Sequence, residues 1–196
     1  MKHSTLRLLA PLVLVLSIGG CGSSQGGDSG GEHPNYGKAL AGSPGPLAAL
    51  HRQANDLLSG GQAAYEERIS SLRGYPVVVN LWASWCGPCR FEFPHFQQAA
   101  ADYGKRVAFF GVDKQDSDDA AATFLREEPV PYPSYTDPDE EIAESIDSAA
   151  TRGLPTTAFY DRSGEVVYLK LGPYDDEAEL RTDIERYALD GSAKSG

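Results

Sequence analysis

Cysteine is scarce in this sequence, which has three cysteines in 196 residues. Only Cys86 and Cys89 lie beyond the N-terminal leader. Structural zinc takes four ligands, but the chain offers one histidine, His95, near this pair and no second cysteine pair. The scarcity therefore argues against a zinc site, and we expect neither a metal nor a cofactor.

Long apolar runs are also missing. The apolar-dominated stretch Leu8–Ile18 has eleven residues, whereas a helix needs about 20 to cross a bilayer. Lys2 and Arg7 precede this stretch and small residues follow it, which is the pattern of a secretory signal peptide. Residues 1–20 are therefore predicted to be a signal peptide.

The end of this segment, Ile18-Gly19-Gly20-Cys21, resembles the lipobox of bacterial lipoproteins. The resemblance implies cleavage before Cys21 and lipidation of its side chain. Such a lipoprotein is extracytoplasmic and membrane-anchored, at the outer face of the cell membrane or in the periplasm. The alternative is ordinary signal cleavage, which would leave Cys21 as a free thiol.

Basic residues are outnumbered, with 17 Lys and Arg against 28 Asp and Glu and a formal net charge of −11. Removal of residues 1–20 takes away Lys2 and Arg7 and no acidic residue, so the charge of the remaining chain would be −13. A surface of this sign repels nucleic acid and anionic lipid head groups. We therefore expect no nucleic-acid partner, and membrane attachment through the lipid alone.

Large apolar residues are few between residues 22 and 46, which are rich in Gly, Ser and Pro. Such a composition cannot bury a core, so residues 21–46 are predicted to be the lipidated cysteine and a flexible linker. Residues 47–190 are long enough for one domain. Residues 191–196 are predicted to be a disordered tail.

The apolar patterns of the domain alternate between strand and helix types. Continuous apolar runs predict buried strands at Val77–Ala83 and Arg106–Asp113. The turn "DRSGE" joins Thr156–Tyr160 to Val166–Leu171 in a hairpin. Helical spacing and breaking residues predict helices at Leu47–Leu58, Ala63–Leu72, Cys86–Tyr103, 117–128, Asp139–Ser148 and Asp175–Leu189. The order predicts an α/β domain with a central mixed sheet flanked by helices, and a helical N-terminal extension at residues 47–72.

Cys86 and Cys89 lie where the first buried strand gives way to a helix. Residues three apart at a helix start share one face, so the pair is close enough for a disulfide. Free N–H groups and the helix dipole favour an anion there, so the Cys86 thiol is expected to have a lowered pKa and to be the nucleophile. A redox couple is favoured over zinc and over a structural disulfide, because a four-residue loop constrains the unfolded chain very little.

The segment "VVVNLWASWCGPCRFEFP" resembles the active-site segment of TlpA/ResA-type oxidoreductases, the membrane-anchored, extracytoplasmic branch of the thioredoxin fold. The similarity extends from about Leu72 to Ala188. It implies a thioredoxin-like fold in which Cys86 attacks a disulfide of a partner protein, forms a mixed disulfide and is released by Cys89. The residues that match the family are Trp82, Trp85, Gly87, Pro88 and Pro94. The residues expected to support the active site are Trp82, Trp85, Gly87, Pro88 and Asn80, although both tryptophans could be core residues alone, a role that fits Trp82 better than Trp85.

A buried acid that is usual in thioredoxin, six residues before the first cysteine, is absent here. Asn80 occupies that position, and an amide cannot accept a proton at neutral pH. Glu92 lies three residues after Cys89 on the same helical face, where TlpA/ResA-type proteins have a Glu. We expect partial burial to raise the pKa of Glu92 so that it exchanges protons with Cys89. The alternative is a solvated acid that stabilises the start of the helix.

The segment "GLPTT" before the hairpin contains Leu154 and Pro155. In the thioredoxin fold the proline at this position is cis and faces the cysteines, and the residue before it offers backbone groups to a bound peptide. The resemblance therefore implies a cis Leu154–Pro155 bond and a substrate-binding role for both residues.

The direction of electron flow is not fixed by the residues between the cysteines, because potentials in this fold extend from about −270 to about −120 mV. The resemblance favours a reductase of disulfides in exported proteins, with apocytochrome c as one substrate and a membrane protein as electron donor or acceptor. One alternative is an oxidase that forms disulfides in secreted proteins. A peroxiredoxin-like peroxidase is disfavoured because no Pro-x-x-x-Thr segment precedes Cys86. A non-enzymatic docking or metal-carrier lipoprotein is disfavoured by the intact Cys-Gly-Pro-Cys sequence.

Overall fold

The computed structural model describes Met1 and residues 33–190. Its strands are β1 (Leu57–Leu58), β2 (Val77–Trp82), β3 (Ala108–Lys114), β4 (Ser134–Asp137), β5 (Thr156–Tyr160) and β6 (Val166–Leu171). They form one sheet in the order β1-β4-β3-β2-β5-β6. The first four strands in this order are parallel, whereas β5 and β6 are antiparallel to their neighbours. The predicted α/β class with a central mixed sheet is confirmed.

Helices flank this sheet. They are α1 (Tyr36–Ala39), α2 (Gly45–His51), α3 (Gly61–Ser71), α4 (Gly87–Tyr103), α5 (Asp118–Glu127), α6 (Glu141–Ile146) and α7 (Glu177–Asp183). A short 3-10 turn lies at Ser148–Thr151, and a π-helical segment, Ile184–Leu189, continues α7. Within the described part of the chain, no helix is both long and apolar enough to cross a membrane.

The central strands β2 and β3 owe their position to their composition. Every residue of both strands is buried, as expected for apolar strands covered on both faces. Helix α4 begins directly after β2 and lays Phe93 on the sheet, where the Phe93 ring lies 5.2 Å from that of Trp82 and 4.6 Å from that of Phe124. The first turn of α4 is thereby fixed over the carboxyl end of β2.

The edge of the sheet differs from the sequence prediction. The predicted helix Leu47–Leu58 is wrong at its C-terminal end, because α2 stops at His51 and β1 follows. Asn55 explains the change: it has a left-handed φ of 63°, and its side-chain oxygen accepts a hydrogen bond of 2.7 Å from the Val130 N–H. This contact turns the chain so that β1 pairs with β4, a strand that the sequence analysis did not predict.

The predicted linker also ends earlier than residue 46. Residues from His33 onward belong to the same compact unit as the domain. Tyr36 and Leu40 are four residues apart and lie on one side of a helical turn: the Tyr36 hydroxyl donates to the Pro129 carbonyl over 2.9 Å, and Leu40 is buried. The segment is rich in small residues, so its composition did not indicate that Tyr36 and Leu40 contact the domain. Residues 2–20 of the predicted signal peptide, Cys21 and the tail at 191–196 lie outside the described residues.

Candidate active site

Cys86 and Cys89 are joined by a disulfide at the start of α4. Cys86 is the N-cap residue of the helix, and its sulfur accepts the Cys89 backbone N–H over 3.2 Å. Gly87 and Pro88 form the first helical turn, where a proline loses no intrahelical hydrogen bond. Cys86 is 5 % exposed and Cys89 is fully buried. Cys86 is therefore the slightly more accessible of the two cysteines, and it lies at the helix start, where N–H groups would stabilise a thiolate.

The two tryptophans before the disulfide have different environments. Trp82 is buried under α4, and its indole N–H donates to the Ser134 hydroxyl over 3.2 Å. Trp85 is 60 % exposed, and its indole N–H donates to the Gln115 carbonyl over 3.0 Å. Phe91, on the second turn of α4, is 62 % exposed. Trp85 and Phe91 are thus exposed large apolar side chains close to the disulfide in the sequence, and only Trp85 was predicted to flank the active site.

An aspartate holds the loop that precedes Cys86. Asp116 accepts a hydrogen bond of 2.6 Å from the Ser84 N–H, and its other carboxylate oxygen accepts the Ser117 N–H over 2.8 Å. Asp116 was not among the predicted site residues. Its position just beyond β3 was a usable signal, because the carboxyl ends of the neighbouring parallel strands β2 and β3 meet at one edge of the sheet.

Glu92 lies one helical turn beyond Cys89 and is fully buried. One carboxylate oxygen accepts the Tyr174 backbone N–H over 3.1 Å, and the other has no hydrogen-bond partner among the described residues. Burial raises the pKa of Glu92 to about 8, although the Tyr174 N–H, the charge of Lys170 and the nearby Asn80 amide each lower it. The burial contradicts the alternative of a solvated acid at the helix start.

Asn80 and Thr157 are two further buried polar residues, and they lie on neighbouring strands of the sheet. The two residues are register partners on β2 and β5, so their side chains share one face. Neither side chain completes a hydrogen bond within residues 33–190, although both are buried. Unsatisfied buried polar groups cost roughly 1–3 kcal/mol each. Asn80 acts on Glu92 directly, because its amide lowers the pKa of the carboxyl.

A second buried acid, Asp113, lies at the end of β3 opposite Trp82. Burial, together with the negative charges of Asp116 and Asp118, raises the pKa of Asp113 to about 8. The sequence analysis assigned this acid only to the end of a strand. The residues around Asp113 in the sequence do not predict that its side chain is buried. The burial follows from the position of β3 in the middle of the sheet.

The Leu154–Pro155 peptide bond is cis, the conformation that the resemblance implied. It precedes β5, and the Pro155 carbonyl accepts the Gly172 N–H over 3.0 Å. Leu154 is half-buried and keeps part of its surface accessible. The role of both residues in binding a substrate stays a prediction.

Comparison with known proteins places these features in a family. Residues 51–169 match the AhpC/TSA family. A thiol:disulfide interchange protein DsbE homolog from Paracoccus denitrificans is 38% identical over 97 residues, 49% of this chain and 50% of that protein. A thiol-disulfide oxidoreductase ResA from Geobacillus kaustophilus is 27% identical over 140 residues, 71% of this chain and 76% of that protein. The chain thus spans half the length of the first relative and three quarters of the second.

A solved structure of a DsbE thiol:disulfide interchange protein from Chlorobium tepidum has a similar fold. Its TM-score is 0.53 at 30% sequence identity, over 59% of this chain and 82% of that chain. The names of the relatives support an oxidoreductase activity and confirm the resemblance inferred from the Cys-Gly-Pro-Cys segment. The chain belongs to the AhpC/TSA family and has a thioredoxin-like fold.

Proposed function

We propose that this protein reduces disulfides in exported proteins by thiol–disulfide exchange. The observation that carries the proposal is the Cys86–Cys89 disulfide at the start of α4, with the buried carboxyl of Glu92 one turn further along the same helix. The Gly-Pro pair between the cysteines resembles that of reducing thioredoxin and favours this direction. Apocytochrome c is the substrate that the TlpA/ResA resemblance suggests.

In the first step the Cys86 thiolate attacks one sulfur of the substrate disulfide. A Cys86–substrate disulfide forms, and the other substrate sulfur leaves as a thiolate that takes a proton. The Cys89 thiol then transfers its proton to the Glu92 carboxylate and attacks Cys86. The second substrate sulfur leaves as a thiolate, so two electrons have passed from the two cysteines to the substrate.

The pKa of about 8 suits Glu92 to this proton transfer. A free thiol has a pKa of about 8.5, so the carboxyl and the thiol exchange a proton at little cost in free energy. After the disulfide has formed, Glu92 holds its proton at neutral pH. When a membrane dithiol donor attacks Cys86, Cys89 leaves as a thiolate and Glu92 returns the proton.

The equilibrium reduction potential of Cys86–Cys89 in glutathione buffers tests the direction. We expect a value nearer to the −270 mV of thioredoxin than to the roughly −120 mV of the strong oxidant DsbA, together with reduction of insulin disulfides by the full chain. The Cys86→Ser variant is the control, because it lacks the couple and should do neither. A potential near −120 mV with fast oxidation of reduced proteins would establish the oxidase alternative instead. Consumption of hydroperoxide without insulin reduction would establish a peroxidase.

We also propose that Cys21 is the lipid anchor of an extracytoplasmic lipoprotein. The lipobox-like sequence Ile18-Gly19-Gly20-Cys21 supports this. The Cys21→Ser variant should move the protein from the membrane fraction to the soluble fraction while its insulin reduction is unchanged. Retention of the variant in the membrane would contradict the anchor.

A further inference from the structure

A row of polar residues crosses the sheet from Glu92 toward the surface. Asn80 on β2 pairs in register with Thr157 on β5, and Thr157 pairs with Lys170 on β6. Register partners place their side chains on one face of a sheet. Lys170 therefore lies on the same face of the sheet as the Asn80 amide, which neighbours the Glu92 carboxyl.

Tyr174 contacts both Lys170 and Glu92. The Lys170 ammonium lies 5.2 Å from the centre of the Tyr174 ring, while the Tyr174 backbone N–H donates to Glu92. The same ammonium forms an ion pair of 3.0 Å with Glu179, at the start of α7. The Lys170 side chain is half-buried, so water screens its charge less than that of a fully exposed lysine.

We propose that Lys170 is a positioning residue that stabilises the ionised form of Glu92, and that Glu179 limits this effect by neutralising part of the lysine charge. The inference rests on the proposed function of Glu92 as proton acceptor. It concerns the charge supplied by β6 and α7, two elements that contribute no residue to the cysteine pair.

Among the described residues, Lys170 is the positive charge that acts on Glu92. His95 lies three residues further along α4, and its buried Nε2 has no hydrogen-bond partner within residues 33–190. Asn80 and Thr157 are neutral. The Tyr132 and Tyr174 hydroxyls lie within the electrostatic reach of Glu92, and burial raises the pKa of both, so they stay protonated at working pH. Asp183 accepts a hydrogen bond from the Tyr174 hydroxyl, but its charge is negative. The charge of Lys170 lowers the pKa of Glu92, in agreement with this arrangement.

Removal of the lysine charge should therefore leave Glu92 protonated to higher pH. With a pKa of about 8, roughly one tenth of the carboxyl is ionised at pH 7. Because each increase of one in the pKa lowers that fraction about tenfold, the rate of mixed-disulfide resolution at pH 7 should fall in a variant without the lysine charge. At pH 10 the ionised form dominates in both proteins, so their rates should converge.

Three variants of the full chain test the inference: Lys170→Met, Lys170→Arg and Glu179→Gln. The pKa of Glu92 is read directly from the pH dependence of its carboxyl carbon signal in the NMR spectrum of the oxidised protein. We expect a higher pKa in the methionine variant, a nearly unchanged pKa in the arginine variant, and a lower pKa in the glutamine variant, because it frees the lysine charge. Far-UV circular dichroism checks that each variant is folded.

An unchanged Glu92 pKa in folded Lys170→Met would overturn the inference, as would shifts of the same sign in Lys170→Met and Glu179→Gln. If the methionine variant does not fold, the opposite behaviour of Glu179→Gln and Lys170→Arg decides the question. The failure of the proposed function is distinguishable. In that case the pKa of Glu92 moves as expected while the exchange rates of the variants and of Glu92→Gln stay those of the unmodified protein.

Discussion

Two buried carboxyls of this molecule share a pKa of about 8 but differ in what surrounds them. Burial is the largest cause for both Glu92 and Asp113. Around Glu92 every secondary influence favours the ionised form: a backbone N–H, the Lys170 charge and an amide. Around Asp113 the secondary influences are the like charges of Asp116 and Asp118, which oppose ionisation.

A raised pKa alone therefore does not identify a proton carrier. A carrier must ionise and recover within one reaction cycle, so groups that stabilise its charged form are useful to it. Glu92 has such groups and follows Cys89 by one helical turn. Asp113 lies at the end of β3, where its neighbours keep it protonated, and its neutral form fits a structural role at the carboxyl edge of the sheet.

The largest expected effect is a loss of folding stability as the pH rises, and it is similar for the two carboxyls. A buried acid with a raised pKa stabilises the folded state below its unfolded pKa, and that stability is lost as the pH rises toward the folded pKa. The windows are pH 4.5 to about 8 for Glu92 and pH 3.8 to about 8 for Asp113. At most about 1.4 kcal/mol is lost per pH unit and group. The free energy of unfolding of the oxidised protein should thus fall by about 3 kcal/mol per group between pH 5 and 8.

Urea unfolding of Glu92→Gln and Asp113→Asn at several pH values measures this loss. Each amide mimics the protonated acid and cannot ionise, so each variant should match the unmodified protein only below the unfolded pKa of the carboxyl and should exceed its stability by a growing margin as the pH rises to 8. A variant whose stability falls with pH as steeply as that of the unmodified protein would show that the corresponding carboxyl is already ionised at pH 5. The two carboxyls would then no longer be comparable.

The sequence predicts one of these carboxyls and not the other, for a physical reason. Glu92 could be identified from local spacing, because three residues after Cys89 on a helix is the same face and Asn80 replaces the usual acid. Asp113 and Lys170 acquire their environments from register between strands that are distant in the sequence. No helical or strand period in one segment records such a relationship.

The strands of the fold show the same difference between features that a local pattern predicts and features that depend on distant segments. The hairpin Thr156–Tyr160 and Val166–Leu171 was predicted with its observed bounds, because its apolar strands and its turn are continuous in the sequence. The strands β1 and β4 were missed. Two leucines at the end of a helical period do not identify a strand, and "SYTD" is buried only because β3 and β1 enclose it.

The rate of disulfide exchange tests the difference between Glu92 and Asp113 most directly, because only Glu92 is expected to affect this rate. General acid–base groups contribute about 10²- to 10⁴-fold to rates. We expect Glu92→Gln to slow the resolution of the mixed disulfide by about 10²-fold at pH 7, equivalent to about 2.7 kcal/mol, because glutamine cannot take the Cys89 proton. Asp113→Asn is the matched control: it replaces a buried carboxyl that is protonated at pH 7, so its rate should stay within about twofold of the unmodified protein. Stopped-flow reaction of the reduced protein with a chromogenic disulfide measures both rates.

Equal losses in the two variants would mean that the rate responds to any buried carboxyl, and the distinction between a proton carrier and a structural acid would be wrong. A slow Glu92→Gln variant whose pH profile also loses its inflection near pH 8 would assign that inflection to Glu92 itself.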